Sequence, residues 1–492
     1  MTAETALTDV PLEIHRLAAR FDSDDRRVIT LPFMPGGEPR IRAVLSRVET
    51  LSDEQVEQLL AKVMSDFSTR HESIESVLMD NYRQVMAVVG EPRFLSRHRQ
   101  LLVGSYFTME YSLESAALFN PSIVPHVDQT GLDPGSVRFI VSLRATGEGH
   151  VSSIVFRTGT IDEAGRIHVD PPRRFIARAR LAHDQSYHKP LFRRKLKDLT
   201  ASATAVDKVM AHLDERFTIA DLEHAIEAVH QGNGQMPRTQ EAFEAMRWLA
   251  RSNYQLSIPP DDDISQIAIF PQSEAESRGI EDLRLVRFVD DDGSACFMGT
   301  YTAWNGYNFL PQLLETPDWQ RISVHTLNGK CVQNKGMALF PRRIDGHYVM
   351  CGRLDGENLY IMYSDMLHFW ESAELLCRPQ MPWEFMQIGN CGSPIETDEG
   401  WLLLTHGVGP MRQYAIGAML LDLDDPTRVI GHLSQPLLMP TEQERDGYVP
   451  NVVYSCGAMV HAGRLYIPYA MSDLATSFAS VELDSLLARL RT

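Results

Sequence analysis

Gly346-His-Tyr-Val-Met350 joins a turn glycine to a short apolar run, and this phrase recurs along the chain. Equivalent phrases begin at Gly293, Gly400 and Gly463, so that consecutive starts are 53, 54 and 63 residues apart. A further copy begins at Gly135. Repeats of roughly 40 to 60 residues, each long enough for about four strands, are typical of β-propeller blades. The five phrases therefore predict a mainly β fold, a five-bladed β-propeller.

Two regions depart from this strand pattern and predict helices. Ser52-Asp-Glu-Gln55 forms a capping box, after which apolar residues follow at helical spacing. The interval from Gly135 to Gly293 is too long for one blade, and it contains an apolar helical stripe from Ile219 to Val229. We therefore expect an N-terminal helical extension over 1–104, a first blade region over 105–180, a helical insertion between the first and second blades over 181–262, and the remaining blades over 263–492.

The charge balance of the 492 residues limits the classes of partner. Forty-seven Lys and Arg residues oppose 65 Asp and Glu residues, which gives a formal net charge of −18. Such a surface repels nucleic acid and anionic lipid, so we expect neither nucleic acid nor membrane as a partner.

The first ten residues carry acids where a signal peptide needs a basic head, and no segment approaches the roughly 20 apolar residues of a membrane span. These features predict a cytoplasmic protein. The six cysteines show no CxxC spacing, so we expect reduced thiols and no metal site.

The most unusual string for chemistry is Arg278-Gly-Ile-Glu-Asp-Leu-Arg284, which precedes an apolar strand. Adjacent residues of a strand point to opposite faces, so we expect only one of Glu281 and Asp282 to face the centre of the fold.

Several cationic side chains occupy similar places relative to strands. Lys335 lies just ahead of an apolar run, whereas Arg144, Arg353 and His406 follow one. If these groups converge, they form a local positive site suited to a phosphate dianion. Glycine-rich nucleotide loops and the GxSxG string of serine hydrolases do not occur in the sequence.

Five strings, taken in order, resemble glycoside hydrolase family 130, the β-mannoside phosphorylases, whose fold is a five-bladed β-propeller. These strings are Gly279-Ile-Glu-Asp282 with Arg284, the Lys335 to Pro341 run with Arg353, Gly400-Trp-Leu-Leu-Leu-Thr-His-Gly407, Tyr414 to Asp422, and Val449 to Ala458. The resemblance covers roughly residues 115–165 and 275–480. It implies phosphorolysis of a β-linked mannoside, with inversion, to α-mannose 1-phosphate.

The resemblance also implies residue roles. Asp282 matches the general acid, which protonates a sugar hydroxyl that relays its proton to the glycosidic oxygen. Arg144, Lys335, Arg353 and His406 match phosphate-side positions. The other candidates, expected to line the sugar site, are Asn120, Glu281, Arg284, Tyr414, Asn451 and Asp473. The expected partners are a small carbohydrate and phosphate; phosphate is a co-substrate, and no cofactor is expected.

Two departures from the family pattern affect loop geometry and one sugar contact: Leu283 replaces the usual proline, and Gly352-Arg353-Leu354 replaces a His-Arg-Pro string.

One acid with a cationic cluster favours a phosphorylase, because an inverting hydrolase needs a second carboxylate to activate water. An inverting β-mannosidase and a non-catalytic carbohydrate-binding propeller are the alternatives. The helical segments either cover the pocket or build an interface, and we expect a homo-oligomer formed through them. The sequence leaves the linkage, the acceptor sugar and the physiological direction open.

Overall fold

The computed structural model describes residues 12–90, 95–182, 185–200, 202–233, 237–259 and 262–491, and it is mainly antiparallel β-sheet with two groups of helices. Up to the end of the inserted helices the elements are β1 (His15–Phe21), β2 (Val28–Pro32), α1 (Glu38–Glu49), α2 (Asp53–Phe67), α3 (Ile74–Val89), α4 (Arg97–Tyr106), β3 (Thr108–Ser112), β4 (Ala117–Pro125), β5 (Val137–Thr146), β6 (Ser152–Ile161), β7 (Ile167–Val169), β8 (Ala177–Arg178), β9 (Arg180–Leu181), β10 (Tyr187–His188), α5 (Lys189–Leu199), α6 (Ala203–Ala211), β11 (Arg216–Phe217), α7 (Ile219–Asn233) and α8 (Pro237–Ser252).

Almost all of the regular elements in the C-terminal half are strands. In order, its elements are β12 (Tyr254–Ser257), β13 (Ile267–Ile269), β14 (Gly279–Val289), β15 (Ala295–Trp304), β16 (Phe309–Thr316), β17 (Arg321–Thr326), β18 (Ala338–Leu339), β19 (Tyr348–Gly352), β20 (Leu359–Ser364), β21 (Glu374–Cys377), β22 (Gln387–Asn390), β23 (Ile395–Thr397), β24 (Gly400–Val408), β25 (Tyr414–Leu421), β26 (Val429–His432), β27 (Val453–Tyr454), β28 (Met459–His461), β29 (Arg464–Met471), β30 (Ala475–Glu482) and α9 (Leu483–Leu490).

Most strands fall into five antiparallel sheet units of consecutive strands: β4–β7, β14–β17, β18–β21, β22–β26 and β27–β30. A parallel pairing of Gly279 with Ser152 joins the first two units into one larger sheet. The glycine of each repeated phrase stands at or just before the start of β5, β15, β19, β24 or β29. All five glycines have positive φ, a conformation that residues with a Cβ rarely adopt, so the phrase marks the same hairpin turn in every unit.

The helix predicted from the capping box is confirmed as α2. The Ser52 hydroxyl accepts a hydrogen bond from the backbone N–H of Gln55 at 3.2 Å, and the Gln55 side chain accepts one from the Ser52 N–H at 2.8 Å. Val56 on this helix packs into a core shared with α1, α3 and α4. Satisfying the first free N–H groups of the helix in this way stabilises its start.

The inserted helices α5–α8 have their own apolar core and are also attached to the second sheet unit. Phe192, Phe217 and Phe243 are among the buried residues of that core. Directly after α8, β12 pairs with β17 and so extends the second unit by one strand. Lys195 of α5 is 2% exposed and donates to the backbone oxygen of Thr326 at 2.7 Å, which fixes the helices against the sheet.

Strand β1 departs from the expected helical extension over 1–104, because it pairs with β30 and becomes part of the last sheet unit. Phe21 at its end is 6% exposed, and its ring lies 5.7 Å from that of Phe478 in an edge-on contact. Shortly after β1, the buried Arg27 guanidinium pairs with the Glu114 carboxylate at 3.0 Å. The N-terminal segment is therefore attached to the rest of the protein at two places, by the pairing of β1 with β30 and by the ion pair of Arg27 with Glu114.

Among the described residues, none of the helices combines the length and apolar character needed to cross a bilayer. Residues 1–10, from which we predicted the absence of a signal peptide, lie outside the described residues.

Replacing Phe21 with alanine tests the contribution of β1. We expect Phe21→Ala to lower the free energy of unfolding by about 3 to 5 kcal/mol, because it leaves a cavity against Phe478. Phe33→Ala is the matched control, since Phe33 is 46% exposed and its loss should change that energy by less than about 0.5 kcal/mol. Urea unfolding followed by tryptophan fluorescence measures both values; equal effects would contradict a structural role for β1.

Candidate active site

The candidate site is built around a break in strand β14 at Asp282. This residue has φ 57°, and the register of β14 against β15 shifts between Glu281 and Arg284. The break aims both carboxylates at one guanidinium: Arg144 Nη2 lies 2.8 Å from Glu281 Oε1, and Arg144 Nη1 lies 3.5 Å from Asp282 Oδ1. The expectation that only one of the two would face inward is therefore wrong, because a left-handed residue interrupts the alternation of a strand.

Asp282 is held from a second side by Asn120. The residue is 8% exposed, and the Asn120 amide nitrogen donates to its Oδ1 at 2.7 Å. Asn120 itself has φ 48°, and β4 shifts register between Phe119 and Ser122. The first strands of two neighbouring units thus break in the same way, and the two breaks bring their side chains together.

The surroundings of Asp282 set its charge. Burial by itself raises the pKa of this carboxyl, but the positive charges of Arg144, Arg284 and Lys335, together with the hydrogen bond from Asn120, outweigh burial and lower the pKa below its ordinary value. Asp282 is therefore a carboxylate at neutral pH in this environment.

Glu281 holds two of the predicted phosphate ligands. Besides its pair with Arg144, its Oε2 accepts a hydrogen bond from Lys335 Nζ. The same ammonium lies 4.2 Å from the ring centroid of Phe309, which is stacked on Trp304 at 4.4 Å. Arg144 and Lys335 therefore belong to the Asp282 site, and Glu281 contacts both of them.

Arg353 and His406, the other two predicted phosphate ligands, both pack against the face of Gly389 on which other residues carry a side chain. A Cβ at this glycine would come within 2.7 Å of Arg353 Cδ and 2.6 Å of His406 Cε1, so only glycine leaves room for both side chains. The Nε atoms of Arg353 and Arg144 are buried and have no hydrogen-bond partner among the described residues. Buried donors of this kind are ready to bind an anion.

His406 does not contribute a positive charge, contrary to our expectation of converging cations. It is 0% exposed, and burial, followed by the charges of Arg353 and Arg284, lowers its pKa well below the ordinary value. Its ring lies 4.8 Å from that of Tyr454 and 6.2 Å from that of Tyr414. His406 is therefore a neutral imidazole that packs beside Arg353 and Tyr454.

Arg284, expected to contact sugar, lies beneath Asp282. It is 1% exposed, and Nη1 donates to the Asp282 backbone oxygen, Nε to the Cys391 oxygen and Nη2 to the Tyr454 hydroxyl, each at 2.9 Å. These partners make it a residue that fixes the backbone of the break. Tyr454 and Cys391 were not among the predicted residues.

Tyr414, Asn451 and Asp473 come from the fourth and fifth units. The Tyr414 backbone N–H donates to the Asn451 oxygen at 3.0 Å, and the Asn451 side chain accepts from Arg445 Nε at 2.8 Å. Asp473 has φ 51°. Its pKa is raised to about 6, mainly by burial and also by the charges of Asp282 and Glu281, against the opposing effect of Arg144. Asp473 is therefore an electrostatic neighbour of the Asp282 site.

One further cation near the site escaped the sequence analysis. Arg412, with φ 56°, has its guanidinium 6.0 Å from the Tyr414 ring centroid and lowers the pKa of Asp473. It lies three residues after Gly409, as His150 lies three residues after Gly147. His406 lies three residues before Gly409, and Arg144 lies three residues before Gly147. Each glycine is thus flanked by two basic residues at the same spacing, and this shared pattern was the signal that could have revealed Arg412.

The raised pKa of Asp473 predicts a pH-dependent stability. Between its ordinary value near 3.8 and about 6, the folded protein holds a proton that the unfolded chain has released, so this residue makes stability fall as pH rises through that window. Asp473→Asn removes the effect. As pH rises from 4 to 6.5, we therefore expect the free energy of unfolding of the variant to increase relative to that of the parent. Urea midpoints across this range measure the difference, with exposed Asp398→Asn as control; parallel pH profiles would contradict the assignment.

A family model and several known proteins are similar to this chain. A family model described as beta-1,4-mannooligosaccharide phosphorylase, glycoside hydrolase family 130, matches residues 264–492. A 1,2-beta-oligomannan phosphorylase of Thermoanaerobacter sp. (strain X514) is 35% identical over 223 residues, which are 44% of this chain and 72% of that protein. A beta-1,2-mannobiose phosphorylase of the same organism is 38% identical over 220 residues, or 43% of this chain and 69% of that protein.

Among solved structures, the Listeria innocua beta-1,2-mannobiose phosphorylase in complex with beta-1,2-mannobiose aligns with a TM-score of 0.45 at 20% identity, over 77% of this chain and 93% of that chain. The identity to the Thermoanaerobacter proteins, over more than two thirds of their length, establishes the family. The chain belongs to glycoside hydrolase family 130, the β-mannoside phosphorylases, and is by that membership a glycosyl-transferring enzyme.

Proposed function

We propose that this enzyme catalyses the reversible, inverting phosphorolysis of a β-mannoside or β-manno-oligosaccharide to α-mannose 1-phosphate. The observation that carries the proposal is the environment of Asp282: this buried carboxylate shares Arg144 with Glu281, Lys335 contacts Glu281, and the unpartnered Nε of Arg353 lies in the neighbouring cluster. A phosphorylase needs one acid and an anion site, and these residues supply both.

We also propose that the five sheet units are the blades of a single five-bladed propeller, with β1 completing the last blade. A cavity of about 340 Å³ supports this arrangement, because every unit contributes residues to its lining. One representative from each unit, in order, is Ile123, Leu285, Pro341, Pro394 and Met459. Units that surround a common axis account for such a cavity, and the breaks at Asn120 and Asp282 lie in two of the strands that line it.

To act as the acid, Asp282 must be protonated, whereas the nearby positive charges lower its pKa and favour the carboxylate. A phosphate dianion near Arg144 and Lys335 offsets the positive charges that lower the Asp282 pKa. Phosphate binding therefore raises that pKa, and the acid is protonated when its co-substrate is present. Asp473, with a pKa near 6, is a neighbouring carboxyl that can hold a proton close to neutral pH.

In the proposed reaction, the Asp282 carboxyl gives its proton to a sugar hydroxyl, which relays its own proton to the glycosidic oxygen. A phosphate oxygen forms a bond to the anomeric carbon from the opposite face as the bond to the glycosidic oxygen breaks. The products are α-mannose 1-phosphate and the acceptor with a free hydroxyl, and Asp282 is left as a carboxylate. The cationic groups stabilise the phosphate and the charge that develops during transfer.

Asp282→Asn tests the acid. The amide keeps the shape of the side chain but cannot donate a proton to the relay, so we expect kcat to fall by about 10²- to 10⁴-fold with the melting temperature nearly unchanged. Phosphate release from α-mannose 1-phosphate and a mannose acceptor measures the rate. Exposed Asp398→Asn is the control for the chemical change, and full activity of Asp282→Asn would refute the role.

Arg353→Gln tests the phosphate site. Loss of charge-assisted hydrogen bonds should raise the KM for phosphate by about 10- to 100-fold, with a smaller effect on the KM for the mannoside. Initial rates at varied phosphate with saturating mannoside measure this separation. Exposed Arg378→Gln is the matched control, and an equal rise in both constants would argue against a specific phosphate contact.

The alternative with structural support is an inverting β-mannosidase, because Asp473 is a further carboxylate near Asp282 and could serve as the base that activates water. Release of mannose from a β-mannoside in phosphate-free buffer, at a rate that phosphate does not increase, would favour it. The two Thermoanaerobacter relatives are named for β-1,2-linked mannosides, whereas the family description specifies β-1,4 linkages. A panel of mannobioses with both linkages therefore assigns the substrate.

A further inference from the structure

A cluster of potential metal ligands lies on the second sheet unit, among residues that play no part in the proposed reaction. His368 Nε2 lies 3.2 Å from Glu315 Oε1, and His325 Nε2 lies 3.7 Å from the same oxygen. One ligand atom from each of the three residues can be chosen so that all lie within 4.8 Å of one another. Two imidazole nitrogens and a carboxylate thus point at one small volume.

The backbone holds these three side chains in place. His325 on β17 stands opposite Leu313 on β16, and Glu315 is two residues further along β16, so both side chains emerge on the same face of the sheet. His368 comes from the segment between β20 and β21 of the third unit, and its backbone oxygen accepts a hydrogen bond from the Asn328 N–H at 2.9 Å. Rigid elements of this kind preorganise a binding site.

The ligand types suit a cation, because a carboxylate and two imidazoles converge there. Neutral imidazoles and ionised carboxylates are the forms of these groups that bind metal ions.

Lys195 is the positive group that opposes a cation here. Its ammonium donates to the Thr326 backbone oxygen at 2.7 Å and to Asn253 Oδ1 at 2.9 Å. Burial lowers its pKa to about 7, while the charge of Glu315 opposes that shift.

We propose that Glu315, His325 and His368 bind one divalent transition-metal ion of the Zn²⁺ class. Imidazole ligands favour such ions over Ca²⁺ and Mg²⁺, which prefer oxygen. The side chains of Glu315, His325 and His368 are 24%, 29% and 15% exposed, which gives an ion access and leaves its other positions to water. The ion would link the second sheet unit to the third and stabilise the contact between them.

The test uses the full chain without an affinity tag, with Zn²⁺ as the probe. We expect calorimetric titration to show one equivalent bound and the melting temperature to rise with Zn²⁺ and return with EDTA. His325→Gln and His368→Gln should each weaken binding at least about tenfold, since loss of even an outer-shell partner weakens metal binding 10- to 100-fold. His461→Gln on β28 is the matched control and should bind like the parent.

Glu315→Gln keeps the side-chain shape, so it still tests the site if the histidine variants fail to fold. Visible absorption of bound Co²⁺ gives a second readout, and its bands should disappear in the double variant His325→Gln/His368→Gln. Equal Zn²⁺ affinity of the parent and that double variant would overturn the proposal, as would a parent that binds no Zn²⁺. Phosphorolysis by the metal-free chain should be retained, so these outcomes are independent of the function proposed for Asp282.

Discussion

The candidate site depends on one backbone feature, the left-handed residue at Asp282, and on the guanidinium of Arg284 that holds it. A non-glycine residue in this conformation costs about 1 to 3 kcal/mol and persists only where its surroundings fix it. Arg284 fixes it from below through the Asp282 backbone oxygen, and Tyr454 and the Cys391 oxygen hold Arg284 in turn. Without the break, Glu281 and Asp282 would point to opposite faces of the sheet, and Arg144 could not contact both carboxylates.

The second organising feature is the near balance of charge inside the site. Although the whole chain carries a formal charge of −18, Arg144 and Lys335 are concentrated beside Asp282, and Glu281 contacts both. Glu281 therefore balances the positive charge of these two side chains. In the proposed reaction, a phosphate that replaces part of Glu281's role would change the balance around Asp282 and so couple anion binding to proton binding.

The sequence predicted those parts of the fold in which residue type determines local conformation. Turn glycines need positive φ, so their spacing revealed the five sheet units, and the Ser52 capping box revealed α2. It did not predict the break at Asp282, because only a few per cent of non-glycine residues adopt positive φ and the residue type alone does not mark which of them do. Nor did it predict that His406 is neutral, since that follows from complete burial, or that β1 joins β30, since the partner strand lies at the opposite end of the chain.

The pairing of β1 with β30 has a consequence for how the enzyme is made. A ribosome that adds about 5 to 20 residues per second needs roughly 20 to 90 seconds to proceed from His15 to Ala475. Throughout that time β1 has no partner, and the last sheet unit cannot be completed until β30 has been translated. Nascent chains that stall before β30 would expose an open strand edge, which is the form most vulnerable to aggregation and to exchange with another copy.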